Sequence, residues 1–102
     1  MDGVDHLVRA AIAGLPNAVV SHETAAETRS IPHLQRGLAT VMVHSRTTHS
    51  FPGVVVHRTT DLDTSHFTTE NGLPVTTLCR TVIDLAGRLH PRHLELIIDD
   101  LV

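Results

Sequence analysis

Apolar residues recur along this chain with two periods, and the switches between them outline its elements. From residue 2 to 15 the period is helical. Val4, Leu7, Val8, Ala11, Ile12 and Leu15 form one stripe, with Asp2 placed to cap the start and Gly14 and Pro16 to end it. A short extended link follows. Ser21 is placed as an N-cap for a second helix from about His22 to Arg29, closed by Pro32. The period then drops to two. Residues 39–46, ATVMVHSR, and 53–60, GVVVHRTT, read as strands joined by a loose hairpin through TTHSFP. In that hairpin Val41, Val43, Val54 and Val56 face the helices, while Met42, His44, Arg46, Val55 and His57 face away. A weaker strand at 66–70 turns at Asn71-Gly72, where a type I′ turn needs positive φ twice.

The run Gly72 to Leu89, GLPVTTLCRTVIDLAGRL, organises the rest. Pro74 suits a strand start or edge rather than a central ladder. Thr76 or Thr77 can cap the helix that follows. Leu78, Val82, Leu85 and Leu89 share one helical face, and Arg80 and Asp84 lie one turn apart on another. Arg80 is expected to reach back to carbonyls of the preceding turn and lock strand to helix. An Arg80–Asp84 pair at the surface contributes under ~1 kcal/mol. Pro91 opens a last helix with Leu94, Ile97, Ile98 and Leu101 on one face. The expected fold is α+β (α/β), with a small, mostly antiparallel sheet flanked by N-terminal and C-terminal helices.

Composition narrows the function. A length of 102 residues suits one domain. With 2% aromatics and no Trp or Tyr, base-stacking platforms are not expected. The net charge of −3 argues against a protein that coats nucleic acid. All eight basic residues are Arg, a hint of a GC-rich bacterial genome. The single cysteine, Cys79, has no internal disulfide partner and reads as a small core residue. No apolar run approaches a membrane span and no signal peptide opens the chain, so a soluble, cytoplasmic protein is expected.

Charge is uneven along the chain. No acid lies between Glu27 and Asp61, where Arg29, Arg36, Arg46 and Arg58 join His33, His44, His49 and His57. Arg46, His57 and Arg58 are therefore candidate phosphate or partner contacts. Four arginines over thirty residues do not make a dense patch, and ordinary surface charge is the preferred reading. Among nine histidines only His90 and His93 have a ligand-like spacing, and no Cys, Asp or Glu completes a zinc pattern. His44 and His57 are expected to face each other across the hairpin, without a third ligand. Ser21-His22 are too close in sequence for a nucleophile and its base, and no GxSxG is present. Asp99-Asp100 point in different directions, and there is no Lys for a nuclease. The expectation is no enzyme, no metal and no cofactor.

Three pieces in order, VVSHETAA, GVVVHR and NGLPVTTLCRTVIDLA, resemble the middle-to-C-terminal domain of AbiEi-type antitoxins and their actinobacterial relatives. The resemblance spans residues 4–102, and its third piece is the most specific. It implies an antitoxin or autoregulator of a type IV toxin–antitoxin, phage-defence locus. Such an antitoxin is linked in function to a nucleotidyltransferase toxin without needing to touch it. The family places a DNA-binding winged helix-turn-helix before this region, and some relatives carry a nuclease-like domain after it. Neither is expected here: nothing before Val19 reads as a helix-turn-helix, and the last helix stops on Leu101 and Val102. Gly72, Pro74, Arg80 and Asp84 then form a structural motif. The alternatives are the non-catalytic half of a truncated DNA endonuclease-like protein, or a relic interaction module. The apolar outer face and bare last helix predict self-association or docking of a missing domain, with at most weak DNA contact.

Overall fold

A computed structural model describes residues 3–31, 39–44 and 50–101. Asp2, Pro32, Arg46 and Val102, each given a part above, lie outside the described residues. The elements run α1 (Gly3–Gly14), β1 (Val19–Val20), α2 (His22–Thr28), β2 (Ala39–His44) and β3 (Val54–Thr59). A 3₁₀ turn (Thr64–His66) follows, then β4 (Phe67–Glu70), β5 (Leu73–Thr76), α3 (Leu78–Ala86) and α4 (Pro91–Leu101).

The fold is α+β, and the five-stranded sheet is mixed, in the order β3-β2-β1-β5-β4. This corrects the expected antiparallel sheet. β2 and β3 are parallel, with Val41 beside Val56 and Met42 beside His57, so they are not a hairpin. Parallel neighbours require the chain to return past the sheet before it can pair again. The return runs beside α1: a Cβ at Gly14 would meet Phe51 at 3.2 Å, and one at Gly53 would meet Leu7 at 3.6 Å. β1 is antiparallel to β2 and parallel to β5, and β4–β5 is the expected hairpin. Its turn residues Asn71 and Gly72 have φ of 52° and 80°. β5 is an interior strand, yet its ladder to β1 is the single pair Val20–Val75, so Pro74 interrupts nothing there.

Strand alternation sorts the layers. Val41 and Val43 pack with Ala11 of α1 and with Leu15 just after it, joined by Val54 and Val56, as expected. Met42 therefore points to the other face. That face is not bare. Met42 is 2% exposed, and its sulfur lies 3.6 Å from Arg80 of α3. Sequence alternation alone had left it to solvent.

α2 is too short to hold itself. Its first and last turns explain its stability. Ser30, at φ 58°, takes the left-handed position after the helix, and Ile31 N–H reaches back to Ala26 C=O at 2.9 Å. This cap, ahead of the expected Pro32, ends the helix. Ser21 precedes α2 in cap position, but its hydroxyl makes no capping bond. Thr24 turns inward and its hydroxyl accepts the Thr40 N–H at 2.9 Å. In α3 the cap is Thr77, which accepts from Arg80 N–H at 3.2 Å, while Thr76 is buried against Thr81, their hydroxyls 2.6 Å apart. A third cluster joins Ala26 and Ile31 to Leu85 of α3 and Ile97 of α4. Leu78, Ile98 and Cys79, expected on inner faces, are exposed. No described helix is long and apolar enough to cross a membrane.

Candidate functional site

The face of the sheet opposite α1 collects the polar chemistry of the chain. Arg80 is its centre. α3 starts directly after β5, so its first turn carries Arg80 over Met42 and the loop before β4. The guanidinium has five N–H donors in a fixed fork. Nε donates to Asp84 Oδ1 at 3.0 Å. One terminal nitrogen donates to Asp61 C=O and His66 Nδ1, both at 3.2 Å. The other donates to Asp61 Oδ1 at 3.2 Å and touches the Met42 sulfur. Arg80 does lock elements together, but through the loop carbonyl of Asp61 rather than carbonyls of the strand-to-helix turn.

The Arg80–Asp84 pair is also not a surface pair. The two side chains are 10% and 9% exposed. Burial pushes the Asp84 carboxyl up, and the neighbouring Arg80 opposes that. Asp84 Oδ2 is buried with no hydrogen-bond partner among the described residues. Asp61 is mostly exposed, and hydrogen bonds from Thr59 and then Arg80 hold its carboxyl below the usual range. Beside these groups lies a cleft of about 390 Å³, which Asp61, His66, Thr77, Cys79, Arg80 and Asp84 help to line.

A second cluster adjoins the first. His57 projects from β3 on the Met42 face, not outward to solvent and not toward His44, whose partner is Thr59. Its ring stacks on that of His22, centroids 4.0 Å apart and planes at 24°. His22 opens α2 with φ 51°, a left-handed conformation uncommon for a residue with a Cβ. Its Nδ1 lies 2.9 Å from Ser21 Oγ. The expected barrier of adjacency is thus overcome, but Ser21 is 0% exposed and its hydroxyl is out of a substrate's reach. Arg88, just after α3, donates to His57 Nε2 at 3.2 Å and pairs with Glu23 at 3.0 Å. Burial first, then the positive field of His57, Arg88 and Arg80, brings His22 down to about 4. Burial and Arg88 lower His57, against Glu23 and Asp84.

Against known protein families, curated proteins and solved structures, the chain finds no match.

The candidate residues therefore divide. Arg80 and Asp84 meet, and His57 lies in the adjoining cluster. Gly72 and Pro74 are apart in the β4–β5 hairpin. Arg58 is exposed and its strand partner is Val43, which puts it on the α1 side, away from His57. His90 Nδ1 accepts the Arg92 N–H at 3.1 Å, a local turn contact. Among the described residues no three His, Cys, Asp or Glu side chains gather so as to hold a metal ion.

Sequence reasoning missed His22, Asp61, His66 and Arg88. His22 was visible within SHETAA, and Asp61 within the run after GVVVHR, but their use depends on the mixed sheet. It also missed Arg29, which closes α2 onto the hairpin. That side chain donates to Thr76 C=O at 3.1 Å, Val75 C=O at 3.3 Å, Thr68 Oγ1 at 2.7 Å and Glu70 Oε1 at 2.8 Å.

Proposed function

We propose that this chain is a non-catalytic, antitoxin-like regulatory domain of a type IV toxin–antitoxin, phage-defence system. One observation carries the reading. The motif from Gly72 to Asp84 works inside the fold: Gly72 turns the hairpin, Thr77 caps α3, and every donor of Arg80 has a protein partner. Residues used in this way mark a scaffold. Function then rests on the surface and on the neighbouring gene, and no reaction is assigned to the cleft. The partner in this reading is a nucleotidyltransferase toxin, countered without necessary contact.

Co-expression tests it. A nucleotidyltransferase encoded beside this chain is induced alone and together with it. Restored growth supports the proposal. Undiminished toxicity, or a gene neighbourhood with no such enzyme, overturns it. Incubation with plasmid DNA and Mg²⁺ or Mn²⁺ tests the non-catalytic part. Cleavage abolished by substituting one acid of the cleft, Asp61 or Asp84, contradicts it.

A further inference from the structure

The junction of α3 and α4 is held to the sheet through one imidazole. Arg88 follows α3, and Pro91 opens α4 three residues later. The Arg88 guanidinium donates to His57 Nε2 on β3 at 3.2 Å and to Glu23 on α2 at 3.0 Å. A guanidinium has no acceptor, so this ring nitrogen must carry its lone pair and His57 must be neutral. The ring's flat face is covered by His22 at 4.0 Å.

We propose that His57 is an acid-released latch: a proton added at its Nε2 detaches the α3–α4 junction at Arg88 from β3. Protonation turns the His57 acceptor facing Arg88 into a donor and leaves Arg88 with Glu23. It also sets an imidazolium beside a guanidinium and against the buried ring of His22. The charges facing His57 come from every element around it. α2 offers Glu23, and α3 and the residues after it offer Arg80, Asp84 and Arg88. β2 places Met42 directly beside it and His44 one step along the same face. Glu23 decides the outcome, since it can pair with the new imidazolium only in competition with Arg88. Burial and then Arg88 favour the neutral ring, and Glu23 and Asp84 oppose them. After release, the Leu85–Ile97 cluster still holds the two helices to each other and to Ala26 and Ile31 at the end of α2. The freed segment is therefore the turn between α3 and α4 at Arg88, and neither the helices nor the whole fold. This inference does not depend on the antitoxin reading.

Hydrogen exchange on the intact chain at pH 7.5 and pH 5.0, corrected for intrinsic rates, tests it. His22, brought down to about 4, stays neutral at the lower pH. Protection across residues 88–94 is expected to fall about tenfold more than protection in α1, the equivalent of one pKa unit of lost interaction. In His57→Gln the side chain keeps an acceptor and cannot ionise, and the difference should shrink below about twofold on the same scale. Equal loss in α1 and in residues 88–94, or a difference that persists in His57→Gln, overturns the latch. If that variant does not fold, an NMR titration of the wild type decides. The His57 ring and the amides of Arg88 to Leu94 must then shift with one midpoint, and separate midpoints overturn the proposal.

Discussion

Nε of Arg80 meets Oδ1 of Asp84 at 3.0 Å in a place where both side chains are about nine-tenths buried. At the surface such a pair contributes almost nothing. Buried, it costs desolvation to form, and losing one partner leaves the other stranded.

Arg80→Met is therefore expected to destabilise the fold by about 3 kcal/mol, because it strands Asp84 and also frees Asp61 and His66. Asp84→Asn keeps an acceptor for Arg80 and removes a buried charge whose carboxyl is already pushed up. Its cost should stay within about 1 kcal/mol. Urea unfolding of both variants checks the order. Equal losses contradict this account of the pair.

The β4–β5 turn isolates a pure backbone effect. Gly72 has φ of 80°, and a Cβ added there meets nothing within 4 Å. Gly72→Ala is expected to cost about 1 kcal/mol from conformation alone. Gly72→Asn should recover most of it, since Asn tolerates left-handed backbone. Thermal unfolding distinguishes them. An unchanged midpoint in Gly72→Ala removes the turn's conformational demand.

Much of this chain was readable before its structure. The stripe of α1, the Asn71-Gly72 turn, a threonine cap at 76 or 77 and the inward set Val41, Val43, Val54 and Val56 all follow from local spacing. What failed was long-range. Alternation shows which residues share a face, and it is the same in parallel and antiparallel strands. The TTHSFP link before β3 reads as a loose hairpin, yet β2 and β3 are parallel. On the face that Met42 and His57 share, Arg80 of α3 covers Met42 and His22 of α2 stacks on His57. The Arg80 and His57 clusters were hidden for that reason, since their members Met42, His57 and Asp61 sit far from α3 in sequence.

The stacked imidazoles give the fold a pH dependence of known sign. His22 has a folded pKa of about 4 against an unfolded value near 6.5. Between those values the unfolded chain binds more protons than the folded one, so stability rises with pH. The His22 contribution is complete above about pH 6.5 and is lost progressively as pH falls toward 4. After discount for partial solvent screening it amounts to roughly 2 kcal/mol. His22→Asn tolerates the left-handed φ and cannot ionise, so its unfolding free energy should change less between pH 7 and pH 4.5. Guanidinium titrations at the two pH values measure this. An equal slope in the variant assigns the effect to other groups.

The mixed sheet also changes what DNA can find on this surface. In an antiparallel hairpin, His57 and Arg46 would have stood side by side as a basic face. In the observed sheet His57 is stacked on His22 and turned to the covered side, and Arg58 is exposed toward α1, beside Val43 in register. Arg29, Arg80 and Arg88 are each committed to acids, at 2.8 Å, 3.0 Å and 3.0 Å. The net charge is −3, and Arg58 is an exposed arginine on β3. Any complex with DNA should then be weak and nearly indifferent to sequence. Its affinity should fall with salt at a slope of about one to two phosphate contacts, and Arg58→Ala should reduce that slope by about one. A mobility shift on DNA upstream of the gene, run from low to physiological salt, gives both numbers. No retained complex is expected at the upper end. A tight, sequence-selective complex there, unaffected by Arg58→Ala, contradicts the surface described and moves DNA recognition to residues other than those of β3.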